Sequence, residues 1–117
     1  MFTIDIRRTN APGIHLVILS GEFDLSEKGR VEDYFTKALS MSPRGLIIDL
    51  SPVSLLDSSG IGLLVAYHTR LEEAGARMAV VISHNKFLMG KLSRLGIFSD
   101  LGIAVYETTE EAEASFS

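Results

Sequence analysis

A short apolar run, Leu46-Ile47-Ile48-Asp49-Leu50, leads within seven residues to Asp57-Ser58-Ser59-Gly60, and then to the amphipathic run Ile61–Leu71. That order constrains the fold more than any other feature of the chain. The apolar run has the length and β-branched content of a strand buried on both faces, as in parallel sheets. The run after Gly60 has helical spacing. The four residues between them are those a strand-to-helix turn prefers, with Asp57 or Ser58 as the cap. Two hydroxyls and a carboxylate therefore stand at a helix start, where amide hydrogens are free and the local dipole is positive. Such a place suits an anion, including a phosphate carried by serine.

The remaining pattern alternates strands and helices. Phe2, Ile4 and Ile6 alternate with Thr3, Asp5 and Arg7, as in a strand with one wet face. Asn10-Ala11-Pro12-Gly13 is turn chemistry, and the run His15–Leu19 completes an antiparallel hairpin. Gly21-Glu22-Phe23-Asp24 is expected to break that strand, with Asp24 or Ser26 capping a helix over about 26–40. Val31, Phe35, Ala38 and Leu39 form its apolar stripe. The helix after the serine turn is expected to end near Glu73, with Gly75 just past it. A strand over Met78–Ile82, a helix over Asn85–Arg94, a strand over Ile103–Tyr106 and an acidic helix over Thr108–Phe116 complete the series. Alternation of this kind implies parallel neighbours joined by right-handed crossovers. The opening hairpin makes the sheet mixed. Both Asp24 and Ser58 then follow parallel strands and leave the sheet at its C-terminal edge, where open α/β sheets place their sites.

Composition narrows the function. With 11 Lys and Arg against 15 Asp and Glu, the net charge is −4, which argues against direct nucleic-acid binding. No cysteine is present, which removes disulfides, thiolate nucleophiles and Cys-ligated zinc. No apolar run reaches the ~20 residues of a membrane span, and MFTIDIRR has no signal-peptide core, so no membrane insertion and a cytoplasmic location are expected. The 117 residues suit one domain, 1–117.

The motifs for other chemistry fail on their residues. The chain has neither GxxxxGK[ST] nor a GxGxxG after the first strand, and Gly60 with Gly62 alone is weak evidence for a nucleotide site. A serine hydrolase would need Ser58 or Ser59 beside Asp57 and one of His15, His68 or His84, but the GxSxG elbow is absent. His68 falls on or beside the apolar stripe, and His84 has no HxxxH or HExxH companion. Met41, Met78 and Met89 read as core fillers, and Phe23, Phe35, Phe87 and Phe98 as packing residues. Asp24 has two readings, a helix cap or a recognition carboxylate near the serine.

Taken together, the stretch LIIDLSPVSLLDSSGIGLL (46–64), the turn Gly21-Glu22-Phe23-Asp24, Glu73-Ala74-Gly75-Ala76 before a strand and Leu95-Gly96-Ile97-Phe98 after the third helix resemble the STAS-domain family. The resemblance is to the bacterial anti-sigma factor antagonists in particular, whose motif reads D-S-[ST]-G-[LI]-G. It implies an α/β STAS fold: a mixed four- to five-stranded sheet with an N-terminal antiparallel hairpin and about four helices. It further implies a protein that binds and does not catalyse. Unphosphorylated, such an antagonist binds an anti-sigma factor with serine kinase activity and so frees a sigma factor. Phosphorylation of the serine after the motif's aspartate, here Ser58, switches it off, and a serine phosphatase resets it. By the same resemblance Glu22, Asp24, Asp57, Ser59, Gly60 and Ile61 belong to the partner-binding surface. Phe23 and Ile61 stand where leucine is common in the family. The alternative within the family is a non-catalytic STAS subunit of a stressosome-like or lipid- or anion-transport complex.

No cofactor is implied by either line of reasoning. The thermal midpoint is therefore expected to be the same with and without EDTA. A fall of many degrees on chelation would reveal a structural metal.

Overall fold

The computed structural model describes residues 1–83, 85, 88 and 97–116. Most of the expected helix Asn85–Arg94 lies outside these residues, as do His84, Phe87, Met89 and the pair Leu95-Gly96. The opening hairpin pairs β1 (Thr3–Arg8) with β2 (Ile14–Phe23), antiparallel from Thr3 opposite Ser20 to Arg8 opposite His15. β2 then runs parallel to β3 (Gly45–Asp49), β3 parallel to β5 (Arg77–Val81) and β5 parallel to β6 (Ala104–Tyr106). The sheet order is β1-β2-β3-β5-β6, with β4 (Val53–Leu56) pairing β2 beyond the end of β3. The described sheet thus has six strands, not four or five. The extra strand is β4.

β4 and the length of β2 share one cause. The Gly21–Asp24 segment does not break the strand: β2 continues to Phe23 and changes partner from β3 to β4. Gly21 has φ +98, and a side chain on it would meet the Met1 carbonyl oxygen at 2.3 Å. The glycine serves a close backbone approach inside a strand, where a turn was expected. Between Gly21 and Glu22 the β2–β4 register shifts, so that Val53 faces Gly21 but Leu55 faces Glu22. The irregularity breaks the alternation of β4, whose burial reads buried, exposed, exposed, buried.

α1 (Lys28–Ser40) and α2 (Ser58–Glu73) cover one face of the sheet. α1 buries Val31, Phe35 and Ala38, and α2 buries Ile61, Leu63, Leu64, Tyr67, His68 and Leu71. A 3₁₀ turn, Leu25–Glu27, precedes α1, so the helix proper begins two residues later than its pattern suggests. Phe35 and Tyr67 stack with centroids 4.5 Å apart and planes at 17°, joining α1 to α2. Leu46 and Ile48 of β3 enter this main core, while Ile47 enters a smaller one on the opposite face with Ile14, Ala79, Val81 and Ala112. β3 is therefore buried on both faces, as its unbroken apolar run predicts. The short helices α3 (Ile97–Asp100) and α4 (Thr109–Ala114) follow, and α4 packs over β3, β5 and β6. Thr108 caps α4 by accepting from the Glu111 amide at 3.1 Å. Met41 is 43% exposed and is not the core filler its type suggests; it caps the C-terminal end of α1.

The link between β3 and β4 is held by two side chains, Asp49, whose Oδ1 accepts from the Ser51 amide at 2.9 Å, and Asn85. The Asn85 amide nitrogen donates to the Val53 carbonyl at 2.8 Å, and lies 3.2 and 3.3 Å from those of Ser51 and Leu50. Its Oδ1 accepts from the Leu88 amide at 3.1 Å. Removing the Asn85 bonds takes a donor from half-buried carbonyls, of which Leu50 keeps the Val53 amide, and costs ~1–3 kcal/mol. Asn85→Ala is expected to lower the urea-unfolding free energy by that order with an unchanged m-value.

Candidate functional site

The serine turn is built by the junction of β2, β4 and α2. Phe23 pairs with Leu56 at the parallel ends of β2 and β4, and the Asp57 amide donates to the Phe23 carbonyl at 3.4 Å. Asp24 and Asp57 therefore follow adjacent residues of two neighbouring strands, at the C-terminal edge where the order of elements predicted them. Asp57 is the N-cap of α2: its backbone is extended, and Oδ1 accepts from the Gly60 amide at 3.0 Å. The Ile61 amide donates to the Asp57 carbonyl at 3.1 Å and starts the helical ladder.

Ser58 is then the first residue of the helix and is exposed; Ser59, the second, is half-buried. Among the described residues, the amides of Ser58 and Ser59 have no acceptor. Both point from the positive end of a sixteen-residue helix. Asp24 resolves as a cap as well: its Oδ1 accepts from the Ser26 amide at 3.0 Å and from the Ser26 hydroxyl. A carboxylate has a second oxygen, so capping leaves Asp24 half-exposed and able to accept from outside.

Glu22 is exposed. With Asp24 and Asp57 it makes this edge acidic. Gly60 and Ile61 lie below the surface, Ile61 at 5% exposure within the main core. A side chain on Gly60 would meet Leu56 Cδ1 at 2.8 Å and the Phe23 ring at 3.3 Å, so the glycine lets α2 sit directly on the ends of β2 and β4. Gly62, one step further, has open space around it.

Two apolar residues at this edge were not singled out by their sequence context. Leu25, directly after Asp24, is 64% exposed, and Leu55, opposite Glu22, is 37% exposed. In the sequence Leu55 and Leu56 are equivalent; the register shift sends one out and the other in. Exposed leucines rimmed by carboxylates have the composition of a protein-binding surface more than of a substrate pocket.

The two described histidines stand elsewhere. His15 is opposite Arg8 at the other end of β2. His68 is buried three turns along α2, with Nε2 at 3.1 Å from the Leu101 carbonyl and 3.0 Å from Glu72 Oε1. Neither lies beside Ser58.

A mixed sheet with a hydroxyl-bearing helix start at the end of a split parallel strand pair defines a small α/β domain whose distinctive chemistry is on its surface. The STAS domain model matches residues 5–112, and the chain belongs to that family. No curated protein sequence matches significantly. Among solved structures the chain is similar to an anti-sigma factor antagonist from Mycobacterium paratuberculosis, at 24% identity over 98% of this chain and 93% of that one, with a TM-score of 0.84. It is similar to the Bacillus cell fate determinant SpoIIAA in its phosphorylated form, at 21% identity over 100% of both chains, with a TM-score of 0.69. It is also similar to a sulfate transporter family protein from Wolinella succinogenes, at 20% identity over 92% of this chain and 88% of that one, with a TM-score of 0.75. At these identities the likeness is one of fold.

The two glycines of the Gly60-Ile61-Gly62 run should separate by mutation. Gly60→Ala forces a methyl group against Leu56 and Phe23 and is expected to destabilise by ~1–3 kcal/mol. Gly62→Ala fills open space on an exposed helix face and is expected to stabilise by up to ~1 kcal/mol. Thermal midpoints moving in opposite directions check both.

Proposed function

We propose that this chain is an anti-sigma factor antagonist that works by partner switching. Unphosphorylated, it binds an anti-sigma factor with serine kinase activity and so frees a sigma factor. The kinase transfers a phosphoryl group from ATP to the Ser58 hydroxyl, whose proton leaves, and a serine phosphatase hydrolyses the ester. The observation that carries this reading is the exposed hydroxyl of Ser58 at the unoccupied amides of α2, beside Asp24 and among the exposed Leu25 and Leu55. The family membership and the fold shared with antagonists support it.

The physical basis of the switch is charge placed on a surface. A phosphate on Ser58 gains from the helix dipole and the two free amides, so the domain stays folded. The same group adds about −1.5 to −2 charges to an edge that already carries Glu22, Asp24 and Asp57. Covering that added charge with a partner demands a counter-charge that the unphosphorylated surface does not. An interfacial charge left unpaired costs ~3 kcal/mol, or about a hundredfold in affinity.

Titration calorimetry against the cognate anti-sigma factor tests this. Ser58→Asp is expected to keep its thermal midpoint within a few degrees and to bind about a hundredfold more weakly. Ser58→Ala is expected to bind and to resist phosphorylation, while Ser59→Ala still accepts phosphate. Phosphate mapped to Ser59, or a Ser58→Asp domain that unfolds, would refute the proposal.

Asp24→Ala probes the partner surface. Losing its cap costs only ~1 kcal/mol of stability. Its affinity for the kinase is expected to fall well over twofold; a smaller change would make Asp24 a cap and nothing more. The fold shared with a sulfate transporter family protein keeps a second reading in view, a STAS subunit of a transport complex. Capture of a membrane transporter in place of a kinase, with no effect of Ser58→Asp, would favour it.

A further inference from the structure

A cavity of about 360 Å³ opens between the β1–β2 hairpin and the C-terminal half of α1, at the end of the sheet opposite Ser58. That volume is within the ~300–1,000 Å³ typical of small-molecule sites. Its apolar lining is Ile4, Ile6, Tyr34 and Met41, and its basic lining includes Arg8, His15 and Lys37.

The placement follows from register and helical spacing. Ile4, Ile6 and Arg8 alternate on one face of β1, the face that packs against the main core. Arg8 lies directly opposite His15 in the hairpin. Tyr34, Lys37 and Met41 recur along one side of α1 and its C-cap. Among the described residues, Arg8, His15 and Lys37 make no ion pair or side-chain hydrogen bond. The lining carboxylate, Asp5, is taken by Arg7 at 2.7 Å. Arg8 and Lys37 bring two cations without a carboxylate partner to this lining, and the His15 ring adds a polar group opposite Arg8. In a protein of net charge −4, a cavity lined by two unpaired cations, Arg8 and Lys37, stands out from the rest of the surface.

From this we infer that the cavity binds an amphiphile with a single anionic head on an alkyl body. The head, a carboxylate or a phosphate monoester, sits among Arg8, His15 and Lys37. The alkyl body lies along Ile4, Ile6 and Met41, against the Tyr34 ring. Free phosphate offers nothing to the apolar floor, and a neutral alcohol offers nothing to the cations. The site is separate from the serine edge and does not rest on the proposed switching function.

Calorimetry and two-dimensional NMR on the full chain, with decanoate, decyl phosphate, decanol and inorganic phosphate, test the inference. Decanoate, decyl phosphate or both should bind and shift the amides of Ile6, His15 and Tyr34. The tighter of the two identifies the head as carboxylate or phosphate. Decanol and inorganic phosphate should each bind at least tenfold more weakly than that ligand. The double variant Arg8→Gln, Lys37→Gln changes exposed side chains, should keep its thermal midpoint, and should lose at least tenfold in affinity. Absence of binding by both anionic amphiphiles, equal binding by the double variant, or shifts centred on residues 22–25 and 54–60 would overturn the inference. So would a concentration-dependent dimer, seen by sedimentation, that the double variant abolishes, because the cations would then hold a second copy of the chain.

Discussion

The contact between the first turn of α2 and the paired ends of β2 and β4 sets the terms for the rest of the molecule. Leu56 and Phe23 fill the space where a side chain on Gly60 would be, and the helix backbone rests on them. Both are fully buried only because the register shift after Gly21 turns them inward together. The same contact fixes the direction in which α2 leaves the sheet, and so the place of Tyr67 against Phe35 of α1. Asp57 satisfies the Gly60 amide from the strand side of the turn. Ser58 is the first residue free of this arrangement. Ser58 is exposed, Ser59 half-buried and Gly60 buried, so the chain passes from surface to core within three residues.

This division explains which parts of the chain were legible in the sequence. Leu46, Ile47 and Ile48 are buried on alternating faces, and their unbroken apolar run declared it. The end of α2 at Glu73 and the placing of Asp24 and the serine turn at one sheet edge followed from residue chemistry and from the rule for parallel strands, while the choice of Asp57 over Ser58 as the cap needed the structure. β4 was not legible, because Val53, Ser54, Leu55 and Leu56 do not alternate once the register shifts. Gly21 misled for a related reason: its role is to admit the Met1 carbonyl, and nothing in its neighbours distinguishes that from a turn. Leu25 and Leu55 needed the register before their exposure could be known. Asn85 reaches over thirty residues back to Leu50, Ser51 and Val53, a long-range bond that no local pattern encodes.

α1 connects the two ends of the domain that carry distinctive chemistry. Its N-terminal side adjoins Asp24 and the serine turn, and its C-terminal side contributes Tyr34, Lys37 and Met41 to the cavity. Phe35 locks the middle of the helix against Tyr67 of α2. The acidic end of the molecule and the basic cavity are thus held at fixed separation by one short rod.

The order β1-β2-β3-β5-β6 leaves a strand with one unpaired side at each end of the described sheet. Open strand sides are templates on which copies of a chain can stack without limit. β6 is three residues long, too short to offer much of a template. β1 has six residues, but Asp5 and Arg7 project from it, paired with each other at 2.7 Å, and Arg8 ends it. A further strand adding along β1 would have to strip water from Asp5, Arg7 and Arg8. Short length at β6 and charge at β1 thus blunt these two edges as templates for a further strand.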